Sequence, residues 1–338
     1  MQEFEVNPEH IMKDVYSYPF PEVRDLLREQ QFDPDLTINT ITRPEAQIML
    51  SGYNFDPPLD LPVTNSGSID LDELHLAAIE RIRLVQERFL PGLSGFSEAY
   101  PMHGSSQAMF NLMAEWSAKG KMESLAVIDG EYDGYAAYAK SLNIKVECFA
   151  ELADASVEPG RVWFVSNPNA RAGNWIDSDA WQQFVEAGHN IVLDAAYVGL
   201  TSDQRQLDVS SPNIMAVLTS PSKIFGVFRY RNTGVTYVRE PVECMYGSKW
   251  FKDIPALFAT LSLYENFGDG QLAEKYCSTQ ELICSKLAQK VGSLVMPSDV
   301  LLLANSPGPV HADYEHYRRA GAYRFGLTKL FEDLEKEI

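Results

Sequence analysis

The chain has 338 residues, 45% of them hydrophobic, and carries a formal charge of −19 from 28 basic and 47 acidic side chains. It is too apolar for a disordered chain, and at roughly 150 residues per domain its length suits about two domains with a substantial core. The acidic balance argues against a nucleic-acid binder or a protein docked on anionic lipid, both of which need a basic face.

Residues 1 to about 70 are Pro-rich and irregular, with Tyr18-Pro19-Phe20-Pro21 and Asp56-Pro57-Pro58. Proline blocks regular structure, so an arm that wraps over other parts is expected. From residue 70 a helix is predicted, capped by Ser68 or Asp70 and carrying Leu74, Ala77, Ala78, Ile82 and Val85 at helical spacing. A second helix is predicted after Gly104, through Ala108, Leu112, Met113 and Trp116. Short β-rich runs then alternate with helical segments: Leu125–Ile128, Val162–Val165, Ile191–Leu193 and Ala216–Leu218. That alternation predicts an α/β domain with a mostly parallel sheet. The end of the chain predicts a smaller α+β domain: a helical stretch over 255–291, a strand over 300–304 and a helix from Leu327 to Ile338. Three segments are expected: an arm over 1–44 packing on the small domain, a large domain over 45–245 and a small domain over 246–338.

The cysteines, Cys148, Cys244, Cys277 and Cys284, form no C-x-x-C pair, and their sparseness points to a reducing compartment. The start, MQEFEVNPEH, lacks the basic and apolar regions of a signal peptide. The longest apolar runs, such as Val300–Ala304, are far short of a membrane span. A cytoplasmic protein is expected. The six histidines show no metal spacing, and there is no G-x-S-x-G or Walker A sequence. No metal is expected.

In parallel sheets the chemistry gathers at the carboxyl ends of strands. There the sequence places Ser166-Asn167-Pro168-Asn169, Asp194-Ala195-Ala196-Tyr197 and Thr219-Ser220-Pro221-Ser222-Lys223, with Arg231 beyond; Gly104-Ser105-Ser106 opens the second helix. A Gly-Ser-Ser helix start offers N–H groups and hydroxyls to an anion. An Asp after a buried strand is desolvated unless it meets a cation. A Lys flanked by serines is a candidate carbonyl nucleophile. Together these describe a site for pyridoxal phosphate, whose ring is an electron sink when a carboxylate keeps its nitrogen protonated. On residue type alone, Lys223 also suits a surface lysine, Asp194 a helix cap, Asn167 a turn, Tyr132 half-buried packing and Arg324 a surface cation.

The sequence resembles the fold-type I pyridoxal-phosphate enzymes of the class I/II aminotransferase group. The likeness covers about residues 100–240 and returns at 324. It rests on Ser220, Ser222, Lys223 and Arg231, on Asp194 with Tyr197, on Asn167-Pro168-Asn169 with Gly173, and on the Gly104 loop. It implies a three-layer large domain with a mostly parallel central sheet and a smaller C-terminal domain. It implies Lys223 as the Schiff-base lysine and proton shuttle, and Asp194 on the pyridine N–H. Asn167 and Tyr197 would bond the ring oxygen. Gly104, Ser105, Ser106, Ser220, Ser222 and Arg231 would hold the phosphate. Tyr132 would stack on the ring and Arg324 would grip a substrate α-carboxylate. A homodimer with interface active sites is implied, with Tyr53 reaching a neighbouring subunit's site.

The sequence departs from the family at three places. Ala170-Arg171-Ala172-Gly173 stands where Pro-Thr-Gly is usual, Pro221 separates the two serines, and Arg229 replaces a glycine. Arg171 and Arg229 either meet a second acidic group of the substrate or face solvent. Aminotransfer on a small amino substrate is the first expectation. A lyase or β/γ-elimination or replacement enzyme of specialised metabolism is the second. A non-catalytic binding protein on a degenerate fold is the third.

Overall fold

The computed structural model describes residues 40–42, 68–154, 156–227, 234–250, 253–328 and 330–331. The chain divides into two compact units, Met1–Ala77 and Ala78–Ile338. In the first, β1 (Thr40–Thr42) pairs antiparallel with β2 (Ser68–Asp70). Helix α1 (Leu71–Gln86) crosses the division.

The second unit continues with β3 (Glu98–Met102), α2 (Ser105–Ala118), β4 (Ser124–Ile128), α3 (Asp133–Ser141) and β5 (Lys145–Phe149). Then come β6 (Arg161–Ser166), α4 (Ser178–Glu186), β7 (Asn190–Asp194), β8 (Ile214–Leu218), α5 (Pro221–Ile224) and β9 (Gly234–Val238). The sheet order is β3-β9-β8-β7-β6-β4-β5. Only β9 runs against the others, pairing antiparallel with both β3 and β8. The mostly parallel sheet expected from the sequence is therefore present.

Central strands lie buried at every position in β4, β6 and β9, which is why they read as unbroken apolar runs. Alternation within β6 shows the layers. Phe164 meets Tyr135 of α3 on one face, and Trp163 meets Phe184 of α4 on the other. The core on the α2–α3 side gathers Ala108, Leu112, Met113, Leu125, Val162 and Val192.

The chain then forms α6 (Gly247–Trp250), α7 (Ile254–Phe267) and α8 (Gln271–Val291), followed by β10 (Met296–Pro297), β11 (Leu303–Ser306), β12 (Arg318–Arg319) and β13 (Ala322–Gly326). The four strands form an antiparallel sheet ordered β10-β11-β13-β12. Ile283, Cys284 and Val291 of α8 pack with Ala304, Tyr323 and Phe325 of that sheet.

Two expectations are corrected. The helical stretch over 255–291 is two helices, because Gly270 takes φ +85° at the start of α8 and the Asp269 side chain accepts from Gln271 N–H. The strand expected over 300–304 begins only at Leu303. Val300 N–H goes to Gly173 O at 2.8 Å and Leu301 N–H to Leu200 O at 3.0 Å, so those amides leave the ladder for the larger sheet's loops. The helix expected at the C-terminus lies mostly outside the described residues.

Candidate active site at the carboxyl ends of β6 and β7

Asp194 is the last residue of β7 and is buried. Tyr135 Oη donates to its Oδ2 at 2.9 Å, and Ala196 N–H donates to its Oδ1 at 3.1 Å. Burial pushes this carboxyl up to about 6, against the downward pull of those two donors and of the Lys223 charge. Asp194 is thus a desolvated acid with a lysine amine in electrostatic reach. Lys223 itself sits exposed in α5, the single turn that Ser220 caps by accepting from Ser222 N–H at 3.3 Å.

The Gly104 loop joins this site through two close approaches. Gly104 has φ +78° and opens α2 with no side-chain cap, leaving the first-turn N–H groups available to an anion. A Cβ added to it would stand 3.6 Å from Ser220 Oγ. A Cβ on Gly234 would stand 2.3 Å from Thr219 O and 3.4 Å from Gly104 Cα. The absent side chains thus shape a cradle between the start of α2 and Ser220. Ser105, Ser106 and Ser222 are half-buried around it.

Tyr132 is 41% exposed, its ring folded over Gly134 and edge-on to Tyr135 at 5.5 Å. Its hydroxyl lies in hydrogen-bonding reach of Ser106. Tyr197 is half-buried; burial raises its phenol, the Arg324 and Arg319 charges lower it, and the Asp194 and Glu131 charges raise it. These groups share one electrostatic neighbourhood.

Asn167 follows β6, and its main-chain N–H donates to Asp194 O at 3.2 Å. It is buried, its Oδ1 accepts from Ile176 N–H at 3.0 Å, and its side chain lines a cleft with Trp175, Trp181 and Leu207 beside α4. This bond anchors the loop leading into α4 through Oδ1, and the donors that a bond to the ring oxygen would need belong to Nδ2. Arg231, Arg229 and Tyr53 lie outside the described residues. Arg171 is committed to backbone and surface partners: Ala150 O at 3.1 Å, Glu151 at 3.2 Å and Ala320 O at 3.2 Å.

Four residues of this region, Glu131, Tyr135, Ser166 and Arg319, were given no role by the sequence. Ser166 pairs in register with Asp194 and therefore faces the same side of the sheet. Its Oγ donates to Oε2 of the buried Glu131 and accepts from Ala170 N–H at 2.7 Å. Burial first, and then Asp194 repulsion, push Glu131 up to about 7, although the Ser166 hydrogen bond pulls it down. Arg324 donates through Nη1 to Ala170 O, and Arg319 donates through Nε to Gly130 O and through Nη2 to Glu131 O. The available signals were the place of Tyr135 in the first turn of α3, three residues after Tyr132, and the strand-end place of Ser166. Nothing in the sequence ties Glu131 or Arg319 to Asp194.

The buried acid that calls for a cationic partner, the Cβ-free cradle at a helix start and the exposed amine fit pyridoxal phosphate, with its ring N–H, phosphate and aldehyde. Among the described residues no group of three or more His, Cys, Asp or Glu could hold a metal ion, and no helix is long and apolar enough to cross a membrane.

No family model matches the chain. Its sequence is 29% identical over 164 residues to histidinol-phosphate aminotransferase 2 of Archaeoglobus fulgidus; the match covers 45% of this chain and 46% of that protein, so under half of the relative's length is spanned. In structure it resembles substrate-bound BacF from Bacillus subtilis, with TM-score 0.62 and 13% identity, covering 98% of this chain and 96% of the other. It also resembles L-threonine-O-3-phosphate decarboxylase from Porphyromonas gingivalis, with TM-score 0.55 and 14% identity over 77% of this chain and 88% of that one. The fold is that of the fold-type I pyridoxal-phosphate enzymes to which class I/II aminotransferases belong.

Proposed function

We propose that this protein is a pyridoxal-phosphate enzyme acting on an amino acid or amine, and that it transfers the amino group. The observation that carries this is the convergence of Tyr135 and the Lys223 charge on the buried Asp194. The partial likeness to an aminotransferase and the shared fold support it.

When bound, the cofactor supplies an electron sink that stabilises charge at the substrate Cα. Asp194 holds the ring nitrogen protonated, and Tyr135 holds Asp194. Lys223 provides the amine for attachment and then carries the proton at the substrate Cα. The start of α2 at Gly104, Ser105 and Ser106, with Ser220 and Ser222, binds the phosphate, joined by Arg231. Tyr132 covers the ring. Tyr197 donates to the ring oxygen, and Arg324 takes the α-carboxylate in a bidentate pair. We also infer an arm over 1–44, a large domain over 45–245 and a small one over 246–338. A cytoplasmic homodimer completes the reading, with Tyr53 serving the neighbouring site.

The test is a visible absorption spectrum of protein supplied with pyridoxal phosphate, with Lys223→Ala as control, followed by a panel of amino acids. A Lys223-dependent band and release of a keto acid support the proposal. Release of carbon dioxide or ammonia instead would move it to a lyase on the same site. No band at all would leave a binding protein on this fold.

A further inference from the structure

Glu131 is buried, belongs to no described step of the chemistry, and is tied to Arg319 directly and to Arg324 through Ser166 and Ala170. Its main-chain carbonyl accepts from Arg319 Nη2. Its side chain accepts from Ser166 Oγ, which accepts from Ala170 N–H, and the carbonyl of the same Ala170 accepts from Arg324 Nη1. Hydrogen bonds thus link the Glu131 carboxyl to the Ala170 N–H and the Ala170 carbonyl to the Arg324 guanidinium, across two sheets. The N–H and carbonyl of Ala170 belong to successive peptides joined at its Cα, so the coupling is one of backbone position.

Three further groups keep these bonds in place. Arg171 Nη2 ties the 170 loop to Ala320 O at 3.2 Å. Gly130 has φ +81°, and a Cβ there would stand 2.7 Å from Ala320 Cβ, so the β4–α3 turn and the β12–β13 turn already meet as closely as backbone allows. Arg324 is half-buried, and burial together with the Arg319 charge lowers its pKa. Such a cation is held only where acceptors are fixed around it.

We propose that Glu131 is a positioning residue for the carboxylate-binding arginine: through Ser166 and the Ala170 backbone it fixes where the Arg324 guanidinium sits and so sets the affinity for the substrate α-carboxylate. The inference rests on the proposed function. Without the Glu131 acceptor the Ser166 hydroxyl is free to turn, Ala170 loses its fixed place, and Arg324 keeps its charge but not its aim. The expected loss falls on binding of the amino acid, not on its conversion.

The experiment compares wild type with Glu131→Ala, Glu131→Gln and Ser166→Ala, each supplied with pyridoxal phosphate. The probes are the amino acid that most perturbs the wild-type visible spectrum and the amine made from it by removing the carboxylate. Apparent affinities are read from the spectra, and turnover is measured alongside. Glu131→Ala and Ser166→Ala are expected to weaken the amino acid about tenfold with kcat within about threefold, the size of one lost buried hydrogen bond. Glu131→Gln keeps an acceptor for Ser166 and is expected to restore most of the affinity. The amine is expected to bind all four proteins alike. An amino-acid affinity unchanged in both Ser166→Ala and Glu131→Ala overturns the inference alone, as does equal weakening of the amine. A wild type without a cofactor band overturns the proposed function and this inference with it.

Discussion

The hydroxyl of Tyr135 and the carboxylate of Asp194 meet at 2.9 Å in the buried layer between α3 and the central sheet, and this contact favours the charged form of Asp194 against its burial. Burial raises the carboxyl, and the Tyr135 donor is the largest influence acting against it. Tyr135→Phe keeps the ring packed against Phe164 and removes only that donor. An unpaired buried acceptor costs about 1–3 kcal/mol. The variant should bind pyridoxal phosphate about 5- to 100-fold more weakly and need higher pH for tight binding. Spectroscopic titration at several pH values checks this; an unaltered dissociation constant would remove Tyr135 from the site.

The cofactor-free protein should lose stability as pH rises from about 4 to 7 through two groups. An acid whose pKa is raised on folding holds its proton more tightly when folded. Its stabilising contribution is complete below the ordinary value and lost as pH climbs through the raised one. For Asp194 the window runs from 3.8 to about 6, and for Glu131 from 4.5 to about 7. The loss is on the order of 3 kcal/mol for each group. Asp194→Asn with Glu131→Gln should therefore be more stable relative to wild type at pH 8 than at pH 4. Parallel pH profiles of the two proteins in urea unfolding would count against it. Glu115, held near 2 by Lys119 and the Cys244 amide despite its desolvation, acts with the opposite sign below pH 4 and is common to both proteins.

Gly234 and Gly104 should tolerate alanine unequally. At Gly234 a methyl would lie 2.3 Å from the Thr219 carbonyl, a rigid backbone atom. Gly234→Ala is expected to cost about 3 kcal/mol or more and to disturb the turn before Lys223. At Gly104 the space exists but φ +78° with ψ 170° is a conformation that essentially only glycine adopts, so Gly104→Ala should cost about 1–3 kcal/mol while a methyl intrudes on the cradle. Phosphate-bearing cofactor should then bind less tightly, with a melting temperature lowered less than in Gly234→Ala. Equal melting temperatures for the two variants would contradict this reading.

Gln280 of α8 is buried and donates through Nε2 to Ser298 O, Val300 O and Leu303 O at 2.8–3.0 Å. It holds the segment whose amides leave the small sheet for Gly173 and Leu200. Gln280→Leu fills the same volume but leaves these carbonyls short of a donor. A loss of about 2 kcal/mol and a melting temperature lower by several degrees are expected. Calorimetry showing an unchanged transition would mean that solvent replaces the amide without cost.

The strands carrying the site were legible because they are buried on both faces and therefore read as short β-branched or apolar runs, Val162–Val165 and Ile191–Leu193 among them. Asp194 and Lys223 were legible for a related reason: each follows such a run, where chemistry collects in a parallel sheet. The break at Gly268–Gly270 was visible as residues but not as a break, since apolar spacing continues on either side of it. Strand β11 was misplaced by three residues because an apolar run does not reveal where its amides bond.

The sequence by itself determined the strands of a mostly parallel sheet, the order of its strand-end motifs and the residue types suited to a phosphate, a ring nitrogen and a carbonyl. Those are local properties of burial and spacing. Tertiary structure decided which groups meet: Ser166 beside Asp194, and Glu131 linked to Arg324 through the Ala170 backbone. Such relations depend on strand register and on where two sheets approach, and residues far apart in the chain leave no mark of that approach on their own neighbourhoods.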